Sequence, residues 1–587
     1  MNYTLNKPEG QEAKKASALG AVKKLWPMLR DDKKTMVLAG IAIIVNSFMQ
    51  LAAPYVIGRT IDQHIIQNKD FHAVLVAGGI LLVMYVVALV ASYLQTQLMG
   101  GVGQRLLFRL RNTVFSKLQE LPVAFFNQNK SGDLISRINN DTDKLNQFFS
   151  QSLMQFLGNI FIMAGAAIFL VVLHPMLGGA ALTPFVLVLV FTQLTGAWIK
   201  QKNAKSLKAL GGMSSEIQES LANFKAIIAF NRRDYFRERF QTANEESYKT
   251  SIGAGIANNL YTPIYGFATN LAQVTVLALG MWLITTGNFT LGFLISFLAY
   301  VNNFYTPLRQ MAAIWANYQV ALAGWDRISE ILALDTDLMT VESGAAGEAH
   351  LLEFKNVKFG YPEGKTVLHD VNFTLEPGKT YALVGPTGGG KTTTASLMAR
   401  LFDPTEGTVL LNGRDIRSYS DAERTQKIGF ILQEPFLFAG TLLENIFYGH
   451  TEFEGRSVDE QKAAITSAGL EGLLSRFDQG LDTQIAIGTD AMSLGQRQII
   501  AFMRAVLRKP ELLILDEATA NIDTVTEQLL GEILEKLPTS TTRVVIAHRL
   551  NTIENADTIF FVNGGEITEA GSLDQAVEML MKGNRQS

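Results

Sequence analysis

The amino-acid sequence predicts a multidomain protein in which an all-α domain of six transmembrane helices precedes an α/β domain with a phosphate-binding loop. Two long stretches without Asp, Glu, Lys or Arg, residues 145–199 and 250–308, predict the first domain. The segment GPTGGGKT at residues 385–392 predicts the second. The chain has 587 residues, of which 48% are hydrophobic, a high share for a soluble protein.

Each charge-free stretch is long enough for two membrane helices, because a helix needs about 20 residues to cross the hydrocarbon core. A Lys or Arg at the bilayer centre costs about 2.5–3.5 kcal/mol. Charge-free runs of this length therefore favour membrane spans over the buried helices of a large soluble protein. The predicted spans are residues 36–58, 72–96, 152–173, 177–199, 260–285 and 290–312.

Basic residues set the expected orientation of these spans. They are frequent before the first span and in the long loops after the second and fourth, whereas the hairpins at residues 174–175 and 287–289 carry almost no charge. Both termini are therefore expected in the cytoplasm. The predicted divisions are an interfacial helix at 17–31 within a membrane domain at 1–330, a linker at 331–350 and a nucleotide-binding domain at 351–587.

The phosphate-binding loop follows an apolar run and precedes a helix-like stretch. Its glycines let backbone N–H groups close around phosphate oxygens, and the positive end of the following helix faces the same anion. Lys391 is expected to reach the β- and γ-phosphates of ATP, and Thr392 to ligate Mg²⁺. The predicted ATP-binding residues here are Gly385, Pro386, Thr387, Gly388, Gly389, Gly390, Lys391, Thr392 and Thr393.

Further polar residues follow apolar runs that are typical of buried strands. Asp516 and Glu517 end LLILDE, where Asp516 is expected to hold Mg²⁺ and Glu517 to act as general base toward the attacking water. His548 could donate a hydrogen bond to the γ-phosphate, and Gln433 could contact both the metal and the water. Taken alone, a histidine or glutamine in such a place is more often structural.

A second anion site is expected at Ser493, which opens the helix-like stretch 496–507. Two phosphate-binding helix starts in one domain indicate that two copies of the domain share two ATP molecules.

Taken together, GPTGGGKT, MSLGQRQ, LLILDE and His548 resemble the nucleotide-binding domain of ABC transporters, so the second domain is expected to be an α/β P-loop ABC ATPase domain. The resemblance implies that ATP lies between the phosphate loop of one domain and the signature of the other. It further implies that Tyr361 stacks on adenine and that Asp523 belongs to the loop that crosses to the partner. The implied signature residues are Ser493, Leu494, Gly495 and Gln496.

Residues 124–143 and 220–232 resemble the two intracellular loops of ABC exporters, so the likeness extends to the membrane domain and implies an exporter-type half-transporter. Two departures stand out. Met492 and Leu494 replace the first and third residues of the usual LSGGQ signature. Residues 483–489 read TQIAIGT, where many exporters have a glycine-glutamate motif that contacts the membrane domain.

The expected function is ATP-driven export of lipophilic or amphipathic molecules, drugs or lipids, from the cytoplasm or inner leaflet by alternating access. A peptide or lipid-linked substrate exporter, an importer of the same fold and an ATP-gated channel remain alternatives. No internal repeat is apparent, so a second half-transporter chain is needed, with a homodimer favoured over a heterodimer. A bacterial plasma-membrane location is expected.

Composition limits the remaining possibilities. The absence of cysteine excludes disulfides and thiolate metal sites, and a net charge of −3 gives no indication of nucleic acid as a partner. The predicted spans contain no charge apart from Arg309. Their aromatic, Met and amide side chains fit a surface that repacks around varied lipophilic cargo. The amides Asn46, Asn159, Asn270, Asn302 and Asn303 either line that surface or join helices.

Overall fold

The computed structural model describes residues 3–5, 26–335, 338, 341, 350–361, 364–486, 492–516, 524–546, 556–570, 574–575 and 578–579. The chain divides into two compact units. The membrane unit comprises Pro8–Gln119 and Gly132–Ala333, and the C-terminal unit comprises Leu334–Ser587 together with Met1–Lys7 and Glu120–Ser131. Tyr3 contributes to this grouping, since its N–H donates to Gln128 Oε1 at 2.7 Å and its hydroxyl to the Asp335 carbonyl at 3.2 Å.

The described part of the membrane unit is built from six long helical stretches, here called membrane helices 1 to 6. Their bounds are Trp26–Gln67, Phe71–Glu120, Ser131–Leu173, Pro175–Ala222, Arg233–Thr285 and Leu291–Leu332. Membrane helix 1 ends in a π-helical turn, Ile61–Gln67, and membrane helix 5 is interrupted between Asn259 and Tyr261. Short helices at Val123–Gln128 and Phe224–Ala229 lie in the two long loops.

The first five of these helices are long and apolar enough to cross a membrane, among the residues that the structure describes. The sixth predicted span lies in membrane helix 6, which is not one of those five, and which carries several amides and Arg309. The fold class is confirmed: a helical transmembrane domain precedes an α/β domain.

Membrane helices 3 and 6 pack antiparallel along their length. Asn159 Nδ2 donates to Gln310 Oε1 at 3.1 Å, and Asn317 Nδ2 donates to Ser152 Oγ at 3.2 Å. Residue numbers rise by seven on one helix while they fall by seven on the other, so the two bonds define one register. Asn159 is buried, and its amide joins two helices, as polar side chains in spans commonly do.

Asp62 caps the start of membrane helix 6. Its carboxylate accepts hydrogen bonds from Thr290 Oγ1 at 2.5 Å and from the Gly292 N–H at 2.7 Å. The carboxylate thereby satisfies a backbone donor that a helix start leaves free. The backbones approach closely here, because a Cβ on Gly58 would lie 2.1 Å from Ser296 Oγ.

The described part of the C-terminal unit contains two larger sheets and one small one. The central sheet has the order β12-β11-β3-β10-β9-β6, and a second sheet has the order β2-β1-β4-β5. β7 pairs with β8. The strands are β1 Leu352–Gly360, β2 Thr366–Leu375, β3 Thr380–Val384, β4 Glu406–Leu411, β5 Arg414–Asp415, β6 Ile428–Ile431, β7 Gly440–Thr441, β8 Gln484–Ile485, β9 Leu512–Asp516, β10 Thr542–Ile546, β11 Thr558–Asn563 and β12 Glu566–Ala570.

The five neighbouring strands β11, β3, β10, β9 and β6 run parallel, so their carboxyl ends lie at one edge of the central sheet. β3 and β9 are buried and apolar, as is typical of strands covered on both faces. The described α-helices of this part are Lys391–Met398, Asp421–Lys427, Leu442–Ile446, Val458–Ser467, Glu471–Leu474, Leu494–Leu507 and Thr524–Glu535.

Two large hydrophobic clusters of described residues hold most of these elements. The first joins the two larger sheets to helix Lys391–Met398, which contributes Leu397 and Met398. The second surrounds helix Leu494–Leu507, which contributes Ile499, Ile500 and Phe502. The two helix starts that the sequence marks as anion sites therefore belong to different cores.

Candidate nucleotide-binding site

The phosphate loop begins where β3 leaves the central sheet. Gly385 has φ +155°, and a Cβ at this position would lie 1.9 Å from the carbonyl oxygen of Val562. Gly388 and Gly390 have φ of +82° and +114°. Only glycine adopts these conformations without strain, which explains why the loop needs this residue at these positions. Among the described residues, no heavy atom beyond the chain neighbours of Gly388 lies within 4 Å of a Cβ built there, so that side of the loop has room for a ligand.

Lys391 is the first residue of the helix that follows the loop. Its side chain is buried, and Nζ donates to the carbonyls of Gly385 at 2.8 Å and Pro386 at 3.0 Å. The ammonium group is therefore folded back across the mouth of the loop. A cation held in this way lies where a phosphate group would enter.

Thr392 and Asp516 come together from two different elements. The Thr392 hydroxyl points at Asp516 Oδ1 at 3.4 Å, and Asp516, the last residue of β9, is buried. A hydroxyl and a carboxylate are hard oxygen ligands of the kind that Mg²⁺ prefers. These two of the three predicted metal ligands therefore fit a magnesium ion beside the phosphate loop.

Other predicted residues follow strands at the same edge of the sheet. Gln433 lies two residues after β6, which pairs in parallel with β9. β10 lies between β3 and β9 in the sheet order and ends at Ile546, two residues before His548 in the sequence. Glu517, Asp523 and His548 themselves lie outside the described residues, so their roles stay predictions.

Tyr361 is tied to the helix after the phosphate loop. Its hydroxyl lies 3.2 Å from Thr393 Oγ1, and its ring makes edge contacts with Phe359 and Phe402. The side chain nevertheless keeps 39% of its surface exposed. A fixed and exposed ring is what stacking on a nucleobase requires.

Ser493 is the N-cap of helix Leu494–Leu507. Its hydroxyl accepts a hydrogen bond from the Gln496 N–H at 3.1 Å, while Gln496 Oε1 accepts from the Ser493 N–H at 3.0 Å. This capping box leaves other N–H groups of the first turn available to an anion. Leu494 and Gly495 are the first two residues of that turn.

Arg504 links helix Leu494–Leu507, which begins with the implied signature residues, to the segment that follows Gln433. Its guanidinium donates to the carbonyls of Asn445 at 2.9 Å and Phe436 at 3.3 Å. Burial lowers the pKa of Arg504 to about 10, a value at which the side chain is still charged at neutral pH. These hydrogen bonds tie helix Leu494–Leu507 to the segment after Gln433.

The phosphate loop is also held by β11 and the turn that follows it, which the sequence did not predict. The Gly565 N–H donates to the Gly389 carbonyl at 3.1 Å, and Val562 lies against Gly385. The NGG turn at residues 563–565 signals a hairpin, but nothing in the sequence tells which loop it contacts.

The altered segment 483–489 is described as far as Ala486. Its residues Gln484–Ile485 form β8, which pairs with β7. Residues 487–489 lie outside the described part of the chain. The expected effect of losing the glycine-glutamate motif on contacts with the membrane domain therefore stays a prediction.

Comparisons with known proteins match both halves of the chain. The family model of the ABC transporter transmembrane region matches residues 36–308, and the family model described as ABC transporter matches residues 368–520. An uncharacterized ABC transporter ATP-binding protein of Bacillus subtilis is 32% identical over 98% of this chain and 95% of its own length.

Two relatives have names that state a cargo. A fatty acid ABC transporter ATP-binding/permease protein of Mycobacterium bovis is 32% identical, over 86% of this chain and 80% of its own length. A multidrug resistance ABC transporter ATP-binding and permease protein of Lactococcus lactis is 29% identical, over 97% of this chain and 96% of its own length.

Proposed function

The chain belongs to the ABC transporter family, with a transmembrane region and an ATP-binding region fused in one polypeptide, and on this premise we propose that it is one half of an ATP-driven exporter. The observation that carries the proposal is the meeting of Lys391, Thr392 and Asp516 at the carboxyl ends of β3 and β9. These residues supply a cation and two oxygen ligands around an open loop.

ATP is held in this proposal by the phosphate loop, with Lys391 on the β- and γ-phosphates and Tyr361 against adenine. Thr392, Asp516 and Gln433 hold Mg²⁺, which when bound neutralises phosphate charge and orients the phosphates. Glu517 then takes a proton from the attacking water, and His548 donates a hydrogen bond to the γ-phosphate.

Two chains share each ATP in this account, because one domain carries two helix starts suited to phosphate, at Lys391 and at Ser493. The family generally works as pairs of such halves, and we propose a homodimer in which Ser493, Leu494, Gly495 and Gln496 of one copy complete the site of the other, with Asp523 at the crossing. ATP contacts made only in the closed pair shift the population toward closure.

The proposed cargo is lipophilic or amphipathic, moved outward by a switch from inward-facing to outward-facing spans in the bacterial plasma membrane. The exposed surface of the membrane helices is rich in large apolar side chains, among them Phe161, Phe267, Met281 and Trp315. The named cargoes of the two relatives, drugs and fatty acids, share this character.

The test of this function is the variant Glu517→Gln in the full-length protein reconstituted into vesicles. Loss of the general base lowers ATP hydrolysis by about 10²–10⁴-fold, while ATP binding persists. ATP hydrolysis and uptake of a lipophilic dye are measured in inside-out vesicles. Hydrolysis by the variant near the wild-type rate contradicts the catalytic role, and wild-type vesicles that take up no dye with ATP contradict dye export.

A further inference from the structure

Arg309 is an isolated charge in a long uncharged region. Between Lys249 and Asp326 it is the only Asp, Glu, Lys or Arg residue. It lies in the interior of membrane helix 6, seventeen residues before Asp326, or about 26 Å along a helix.

The register of membrane helices 3 and 6 places Arg309 far from other charges on the neighbouring helix as well. Its neighbour Gln310 bonds to Asn159, fifteen residues beyond Lys144 and inside the charge-free stretch that begins at residue 145. Arg309 therefore lies about 22 Å from the charged end of membrane helix 3.

Arg309 has no counter-ion in the described part of the chain. Its side chain is exposed, and among the described residues it makes no hydrogen bond, ion pair or ring contact. The six predicted spans contain no Asp or Glu, so the spans of a second copy offer no carboxylate either.

Polar groups accompany Arg309 on the same side of membrane helix 6. Asn302 and Thr306 precede it by seven and three residues, a spacing that puts all three on one face, and all three are exposed. Gln273 of membrane helix 5 donates to Asn302 Oδ1 at 3.0 Å, which fixes the amide in place. A cation and ordered polar groups thus share a face that also carries apolar surface.

We propose that Arg309 anchors the cargo, and that the cargo is an amphipathic anion whose carboxylate or other acidic headgroup pairs with the guanidinium while its hydrocarbon part lies on the apolar surface of the spans. The inference deepens the proposed function and rests on it. An unpaired cation inside a membrane domain is costly, and ionisable residues there commonly mark substrate paths. Guanidinium is suited to the anion because its planar donors match a carboxylate bidentately.

The test compares three twelve-carbon probes on the full-length protein in nanodiscs of phosphatidylcholine. Laurate carries a negative charge, dodecanol none, and dodecyltrimethylammonium a positive charge. The concentration for half-maximal stimulation of ATP hydrolysis is measured for the wild type, Arg309→Gln, Arg309→Lys and the control Lys205→Gln. Lys205 is an exposed cation on membrane helix 4 outside this face. Each stimulation is expressed relative to the basal rate of the same variant.

We expect Arg309→Gln to raise the half-maximal concentration of laurate roughly tenfold to a hundredfold, as loss of a charge-assisted hydrogen bond does, with dodecanol changed little. Arg309→Lys should recover part of the laurate response because it keeps the charge, and Lys205→Gln should behave as the wild type. Equal shifts for all three probes, or no shift for laurate, overturn the proposal.

A second set of nanodiscs, containing phosphatidylglycerol, separates the two sources of the anion. If Arg309→Gln removes stimulation by phosphatidylglycerol instead of by laurate, the anchored anion is a lipid headgroup. The proposal that Arg309 pairs with an anion is then still supported. If dodecanol or the cation stimulates the wild type and neither anion does, the anion inference fails while the exporter proposal survives. Absence of hydrolysis in the wild type would instead remove the proposed function.

Discussion

At the residue scale, Tyr361 connects the expected adenine contact to the phosphate loop. Its hydroxyl lies against Thr393, two residues after Lys391, while its ring remains exposed. In the proposed site the ring stacks on adenine and the hydroxyl positions the side chain, so the two contributions can be tested separately.

The variant Tyr361→Ala should weaken ATP binding by roughly 5- to 150-fold, because base stacking on an aromatic ring contributes about 1–3 kcal/mol. Tyr361→Phe is the matched control, since it keeps the ring and loses only the hydroxyl, and it should bind ATP nearly as the wild type does. Nucleotide titration of the full-length protein measures both. Equal losses in the two variants would show that the hydroxyl, not stacking, provides the affinity.

His450 makes the C-terminal unit sensitive to acid. It is buried, with Nε2 2.9 Å from the Arg504 carbonyl, and burial holds the pKa of the imidazole below its ordinary value of 6.5. Below pH 6.5 the unfolded chain binds a proton that the folded chain does not. The stabilising contribution of this group is therefore complete above pH 6.5 and is lost as the pH falls toward the folded-state pKa.

We expect the apparent Tm of the full-length protein to fall between pH 7.5 and 5.5, with His450 contributing at most about 1.4 kcal/mol per pH unit to the free energy of unfolding. His450→Gln should flatten this dependence, and His369→Gln, which changes an exposed imidazole, should not. Parallel pH profiles for the wild type and His450→Gln would contradict the assignment.

The residues of the phosphate site could be predicted from local sequence, because strand, glycine loop and helix are adjacent in the chain. Lys391 Nζ lies against the Gly385 carbonyl and Thr392 Oγ1 lies 3.4 Å from Asp516 Oδ1, as expected for neighbouring motifs, and their roles toward ATP and Mg²⁺ stay predictions. The contact of Val562 with Gly385 could not be predicted, since it joins positions far apart in sequence through backbone atoms.

At the scale of elements, a charged network fixes membrane helix 3 to membrane helix 6. The Arg137 side chain is 1% exposed and pairs with Asp133 at 2.9 Å and Glu330 at 2.8 Å. Arg327 pairs with Asp133 and, at 3.1 Å, with Asp141. The sequence placed Arg137 in the segment 124–143 that resembles an intracellular loop, and it could not show the partner Glu330, which lies almost two hundred residues further along the chain.

Removal of the Arg137 charge should destabilise the membrane unit, because breaking a buried ion pair leaves the other charges without their partner. We expect Arg137→Gln to lower the free energy of unfolding by about 3–5 kcal/mol. Thermal unfolding of the purified full-length protein measures this loss as a fall in apparent Tm.

The matched control is Arg237→Gln, which removes an exposed arginine paired with Asp234 and should cost no more than about 1 kcal/mol. Similar changes in Tm for the two variants would mean that the Arg137 network contributes no more than a surface pair.

At the scale of the whole molecule, long charge-free runs identified the membrane domain and the order of motifs identified the ATP-binding domain, and both conclusions are confirmed. The sequence did not predict long-range contacts such as the register of membrane helices 3 and 6 or the cap that Asp62 provides for membrane helix 6. These depend on contacts between segments that local periodicity does not relate.

The central claim is that two chains share each ATP, with Lys391 of one copy and Ser493 of the other. Differently tagged chains allow two mixed dimers to be purified. In the first, one chain carries Lys391→Ala and the other Ser493→Arg, so shared sites leave one site with both residues intact. In the second, one chain carries both substitutions and the other none, so every shared site is defective.

ATP hydrolysis by these two dimers is the most direct measurement. The account predicts clear hydrolysis in the first dimer, well above that of either single-variant homodimer, and almost none in the second. Hydrolysis in the second dimer with none in the first would mean that each chain builds a complete site by itself, and would contradict the account.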